Sequence, residues 1–175
     1  EEISSSDVIP RLIENFGVDE VITIDIHNEL SLSYFSLSIK NITAISLLAD
    51  YIKKNVNIEQ SIIVSPDTGG LKRAENFADL LTLPCLCLKK KRDRNTGLVS
   101  IDENIGKEVD GLDAILVDDM ISTGESIIKS CKVLKKQKIR NVIVVCTHAI
   151  LLDNAYERIM NSGVKELIST NSIPS

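Results

Sequence analysis

Apolar residues fall along this chain in two alternating rhythms. Short β-branched runs occupy 20–25 (EVITID), 61–65 (SIIVS), 114–117 (AILV) and 141–147 (NVIVVCT), and longer stretches with helical spacing fill the intervals. Within NITAISLLADYIKKN the apolar positions are Ile42, Ile45, Leu48, Ala49 and Ile52; after Ser126 they are Ile127, Ile128, Cys131 and Leu134. Continuous apolar strands separated by amphipathic helices predict an α/β fold with an open parallel sheet, each helix packing one face on it. Ser4 to Ser6 can cap a further helix running through Leu12 and Phe16, with Pro10 tolerated only near its first turn. That helix and the strand after it read as belonging to a neighbouring domain.

Three connections stand out, each following a predicted strand and rich in Gly, Ser, Thr, Asp or basic residues. They are SPDTGG at 65–70, KKKRDRNTG at 89–97 and DDMISTGES at 118–126. In an open parallel sheet ligands bind beyond the carboxyl ends of the strands, so these loops are expected to converge on one crevice.

Composition narrows the chemistry. The chain has 175 residues, enough for one large core, with 43% hydrophobic and 26% charged residues. Its net charge of −5 supplies no global basic field, and 3% aromatic residues with no Trp offer few stacking platforms, so nucleic acid is not an expected partner. Cys85, Cys87, Cys131 and Cys146, with only two histidines, spell no zinc set and read as thiols of a reducing compartment. With no signal-like start and no apolar run of about 18 residues, a cytoplasmic location without membrane contact is expected.

DDMISTGES carries the strongest chemical signal. Ser122, Thr123 and Ser126 offer hydroxyls, Gly124 lets the backbone come close, and the exposed N–H groups at the start of the following helix favour a phosphate. Asp118 and Asp119 repel that anion; their natural clients are sugar hydroxyls or a divalent ion. A helix cap alone explains Ser122 or Thr123 but not two acids just before them. In SPDTGG, Gly69 and Gly70 let main-chain N–H groups approach an anion while Asp67 suits its cation; a plain strand-to-helix turn accounts for Gly70 but not for the acid. His27 in D-x-H, taken alone, is more often a hydrogen-bonded side chain than a ligand, and a run of lysines is usually a solvated loop.

The strand ILV with DDMISTGES resembles the phosphoribosyl-diphosphate binding motif of the phosphoribosyltransferase-like fold. VITIDIHNE at 21–29, SPDTGGLKRAENFA at 65–78, KKKR at 89–92 and ELISTNSIP at 166–174 are similar, in order and spacing, to landmarks of the ribose-phosphate pyrophosphokinase (phosphoribosyl diphosphate synthetase) family. The resemblance covers nearly the whole chain. It implies that residues 1–41 end an amino-terminal domain of the same type, whose remainder is absent here, and that 42–175 form the carboxy-terminal domain with a ribose 5-phosphate site. At 125 the chain has Glu where the family usually has a small residue; its carboxylate is expected to face solvent.

The resemblance also implies the activity: transfer of the diphosphoryl group of ATP to C1 of ribose 5-phosphate, giving phosphoribosyl diphosphate and AMP. Asp118, Asp119 and the turn Ser122, Thr123, Gly124, Glu125, Ser126 then hold ribose 5-phosphate. Thr68, Gly69 and Gly70 hold the diphosphate, and Asp67 and His27 are linked to Mg2+. Lys90 and Arg92, aligned within three consecutive lysines, act from a flap over the phosphates. His148 lies near a family position beside the sugar. A homo-oligomer that completes the ATP site is implied as well. The alternatives are a nucleobase phosphoribosyltransferase, which consumes phosphoribosyl diphosphate, and a non-catalytic partner subunit that keeps the fold.

Overall fold

The computed structural model describes residues 5–92, 99–102 and 109–174, with the backbone alone at 5–7, 90–92 and 99–100. The contacts divide the chain into two compact units, Glu1–Ala44 and Ile45–Ser175.

The first unit contains helix α1 (Ser5–Asn15), strand β1 (Glu20–Ile24), a 3-10 turn (Glu29–Tyr34) and strand β2 (Ser38–Ile42). β1 and β2 pair in parallel from Glu20↔Ser38 to Ile24↔Ile42. Two sequence expectations change here. Pro10 lies in the middle of α1 rather than at its first turn, so the helix continues across the missing N–H. Ile42, placed by periodicity on a helix, ends β2 and is exposed, because the parallel ladder with β1 captures it. Asp25, buried and with φ of 41°, accepts hydrogen bonds from Thr43 Oγ1 at 2.7 Å and from the Ala44 N–H at 3.0 Å. The DIH turn is therefore tied down through its aspartate.

The second unit is a parallel five-stranded sheet with four helices among its described residues, of which the sequence pattern specified α2 and α4. Its strands are β3 (Ser61–Ser65), β4 (Cys85–Cys87), β7 (Asp113–Ile121), β8 (Asn141–Ala149) and β9 (Val164–Ser169), in the order β4-β3-β7-β8-β9. Helices α2 (Ile45–Asn55), α3 (Leu71–Leu81), α4 (Glu125–Lys136) and α5 (Ala155–Asn161) alternate with them. Val64, Leu116, Val144 and Cys146 from the strands form the core with Ile127, Cys131 and Leu134 of α4, all fully or nearly buried. Burial on both faces explains why these strands read as continuous apolar runs. Between β4 and β7, β5 (Lys90–Arg92) and β6 (Val99–Ile101) make an antiparallel ribbon apart from the main sheet.

From β3 the chain moves outward to β4, then returns past β3 and builds outward the other way through β7, β8 and β9. The reversal therefore lies between β3 and β7, where an open α/β sheet leaves a crevice at its carboxyl rim. The strand predicted as 114–117 extends to Ile121, because β8 is long enough to partner it: Asp118 pairs with Cys146, Met120 with His148 and Ile121 with Ala149. The two acids thus sit on the strand itself, and the connection to α4 shrinks to Ser122–Gly124.

Candidate functional site

The loops that follow β3 and β7 flank the reversal. In the first, Asp67 organises its own turn: Oδ1 accepts the N–H groups of Gly69 at 3.0 Å and Gly70 at 3.2 Å, while Ser65 Oγ donates to the Asp67 carbonyl at 2.7 Å. An anionic oxygen is therefore already solvated by the glycine N–H groups expected to meet a ligand. A Cβ at Gly70 would stand 2.9 Å from Ser65 Oγ, so the turn closes only around glycine there. Thr68 and Gly69 are exposed, open to solvent at the rim.

On β7 each acid accepts the backbone N–H of the residue that follows it. Asp118 Oδ1 accepts the Asp119 N–H at 2.9 Å, and Asp119 Oδ1 accepts the Met120 N–H at 2.8 Å. Burial first, then the hydrogen bond and repulsion from Asp119, with a further push from Asp67, raise the Asp118 carboxyl to about 7. Asp67, on the loop after β3, adds only a minor repulsion to this shift. Cys146, the cross-strand neighbour of Asp118, has its thiol pushed up to about 12 by burial and by both acids, so it is an inert packing group.

The short turn after β7 is braced from behind. The Leu151 and Leu152 N–H groups donate to the carbonyls of Ile121 and Ser122 at 3.0 and 3.1 Å. Gly124 has φ of 73° and backs onto Ile159 of α5. Ile128 N–H closes the first intrahelical bond to the Gly124 carbonyl at 2.9 Å, so the N–H groups just before it lack acceptors within α4. The Ser126 hydroxyl is buried without a hydrogen-bond partner. Glu125 is exposed and ion-paired with Arg158 of α5, which turns its carboxylate aside from the turn.

The remaining predicted residues are spread more widely. Lys90 and Arg92 are in β5, where only the backbone is described; 93–98, including Asp93 and Arg94 of the basic run, lie outside the described residues. His27 is exposed in the bend after β1, within the first unit. His148 Nδ1 lies 2.8 Å from Ser172 Oγ, at the carboxyl ends of β8 and β9. Among the described residues no three His, Cys, Asp or Glu side chains gather as a metal-binding group. No helix among them is long and apolar enough to cross a membrane.

Sequence reasoning missed Arg73, whose Nη1 lies 3.7 Å from Asp119 Oδ1. A signal existed: α3 carries Lys72 and Arg73 and no acid in its first turn, the reverse of what a helix dipole favours. Arg158 and Ile159, which back the turn, lay in a segment without any chemical motif.

A phosphoribosyl transferase domain model matches residues 37–173. The chain is 39% identical over 173 residues to ribose-phosphate pyrophosphokinase of Sulfurisphaera tokodaii, covering 99% of this chain and 59% of that protein. It is 37% identical to the enzyme of the same name from Staphylococcus saprophyticus, over 95% of this chain and 52% of that one. The chain thus spans a little over half the length of these relatives. Phosphoribosylpyrophosphate synthetase of Mycobacterium smegmatis superposes with a TM-score of 0.86 at 30% identity, over 99% of this chain and 56% of that one. Purine phosphoribosyltransferase of Pyrococcus horikoshii shares the fold, with a TM-score of 0.55 at 16% identity.

Proposed function

Because the chain belongs to the phosphoribosyl transferase domain family, we propose that its carboxyl rim is a sugar-phosphate site and that it serves a ribose-phosphate diphosphokinase. In this reading the diphosphoryl group passes from ATP to the 1-hydroxyl of ribose 5-phosphate, leaving AMP. The observation that carries it is the strand reversal between β3 and β7, which brings the Asp67 turn with its glycine N–H groups and the acids and hydroxylated turn at the end of β7 to the same carboxyl rim. Similarity to enzymes named ribose-phosphate pyrophosphokinase supports the choice of reaction.

The turn Ser122, Thr123, Gly124, Glu125, Ser126 receives the 5-phosphate. Its main-chain N–H groups and the unpartnered Ser126 hydroxyl are the donors, and Glu125 contributes through its N–H while Arg158 occupies its carboxylate. Asp118 and Asp119 accept the ribose hydroxyls, which orients C1 towards the other loop. Thr68, Gly69 and Gly70 take the diphosphate, the two glycines by the N–H groups that Asp67 now holds. Lys90 and Arg92 stabilise the charge that develops between donor and acceptor.

Asp67 offers the hard oxygen that magnesium prefers, with substrate phosphates completing the site. Magnesium held there supplies neutralisation of phosphate charge. His27 brings an imidazole, which suits a link through water or ATP phosphate better than direct ligation of a hard cation. Residues 1–41 are assigned to the end of an amino-terminal domain and 42–175 to the carboxy-terminal domain, with a homo-oligomeric assembly in the cytoplasm.

The test is turnover of the full-length gene product. Incubation with ATP, magnesium and ribose 5-phosphate yields AMP and phosphoribosyl diphosphate in equal amounts. Turnover only with a nucleobase and phosphoribosyl diphosphate would replace this reading with that of a base transferase, and no turnover in either mixture would favour a non-catalytic partner.

A further inference from the structure

Arg73 stands in a place that neither helix stability nor solvation explains. It is in the first turn of α3, where the helix dipole disfavours a cation. Its side chain is only 20% exposed, and its Nε is buried without a hydrogen-bond partner. A guanidinium with an unsatisfied N–H, removed from water, carries a desolvation cost that only a nearby anion offsets. That anion is Asp119, whose side chain is 6% exposed and whose Oδ1 lies 3.7 Å from Arg73 Nη1. The same Oδ1 accepts the Met120 N–H at 2.8 Å, so the carboxylate is held from two directions by the neighbouring helix and by its own strand.

The geometry points to Arg73 as the positioning residue for the sugar: by fixing Asp119 at the end of β7, it sets the orientation in which ribose hydroxyls are accepted. This rests on the reading of the rim as a ribose 5-phosphate site. Arg73 acts through Asp119, because its described contact is with that carboxylate and with none of the residues of the 122–126 turn. The turn is braced separately, by Leu151, Leu152 and Ile159. Sugar recognition and phosphate recognition are therefore supported by different parts of the unit, and loss of Arg73 damages only the first.

The experiment compares wild type, Arg73→Met and Arg73→Lys in the full-length gene product, titrating ribose 5-phosphate by calorimetry and inorganic phosphate by NMR shifts. Arg73→Met is expected to weaken ribose 5-phosphate binding by roughly 10–100-fold, the scale on which orienting partners act. Inorganic phosphate binding stays unchanged, and Arg73→Lys, which restores a point charge, recovers a large part of the loss. Unchanged ribose 5-phosphate binding in Arg73→Met overturns the proposal, as does an equal loss for both ligands. Wild type that binds phosphate but not ribose 5-phosphate instead removes the sugar-site reading, and this inference with it. Should Arg73→Met fail to fold, Arg73→Met/Asp119→Asn removes both charges together. Ribose 5-phosphate affinity equal to that of Asp119→Asn alone then supports the coupling, and a further loss refutes it.

Discussion

Gly124 and Ile159 are in direct apposition: a Cβ built on the glycine would stand 2.8 Å from both Cδ1 and Cγ1 of the isoleucine. The turn that is proposed to take the phosphate is thus shaped from behind by α5, and its backbone also needs φ of 73°. Gly124→Ala meets both obstacles. It should destabilise the protein by about 1–3 kcal/mol through overpacking, with further strain from the left-handed backbone. Thermal unfolding checks the cost, and trimming the neighbour with Ile159→Val should recover part of it but not the portion due to φ.

Asp118 offers a test with opposite signs for stability and function. Its folded-state carboxyl is raised to about 7, above the usual range near 4, first by desolvation, then by Asp119 next to it, with Asp67 adding a minor repulsion. Deprotonation therefore costs stability progressively as pH rises from about 4 to about 7, and the cost is fully present above that. Asp118→Asn removes it. The variant should melt a few degrees higher than wild type at about pH 8 and lose this advantage near pH 4. It should also bind ribose 5-phosphate more weakly, since an amide replaces one acceptor oxygen with a donor.

Lys90→Ala separates chemistry from binding. If the lysine acts on the transferring diphosphoryl group, AMP formation should fall by roughly 10²–10³-fold, the scale for one stabilising group. Ribose 5-phosphate binding should survive. Because Lys89 and Lys91 flank it, the same substitution at each neighbour should have a much smaller effect on turnover.

A remote ion pair contributes to stability in acid. Arg140 Nε donates to Asp113 Oδ1 and Nη2 to Oδ2, both at 2.9 Å, and Asn141 Nδ2 donates to Oδ1 at 2.8 Å. The hydrogen bond from Arg140 chiefly holds the Asp113 carboxyl below its ordinary range, against the opposing effect of burial. Its stabilisation is present above about pH 4 and is lost as pH falls through the depressed folded value. Asp113→Asn should lower the melting temperature at neutral pH, and the difference from wild type should shrink as pH falls through the depressed folded value. Turnover at neutral pH should be unaffected, since Asp113 begins β7 at the edge opposite the rim.

The strands SIIVS and NVIVVCT were legible because burial on both faces makes them continuous and apolar, and SIIVS matches β3 to the residue. β7 was cut short at Val117 because Asp118 and Asp119 look like a loop to any rule based on hydrophobicity; only the partner strand shows that the ladder continues. β4, three residues long, is too short for periodicity to register. At the site, the glycines and hydroxyls announced themselves by local backbone demands. Arg73 and Ile159 did not, because their roles arise from packing between elements distant in sequence. Glu125 was expected to leave the turn; Arg158, the partner that receives it, lies 33 residues away, beyond the reach of a local motif.

A structure of the full-length gene product soaked with ribose 5-phosphate examines the sugar-phosphate site without intermediaries. The phosphate oxygens should lie about 2.7–3.2 Å from the main-chain N–H groups and hydroxyls of the 122–126 turn, with ribose hydroxyls at similar distances from Asp118 and Asp119. A sugar phosphate bound away from the β3–β7 reversal, or one whose hydroxyls leave both aspartates untouched, would contradict it.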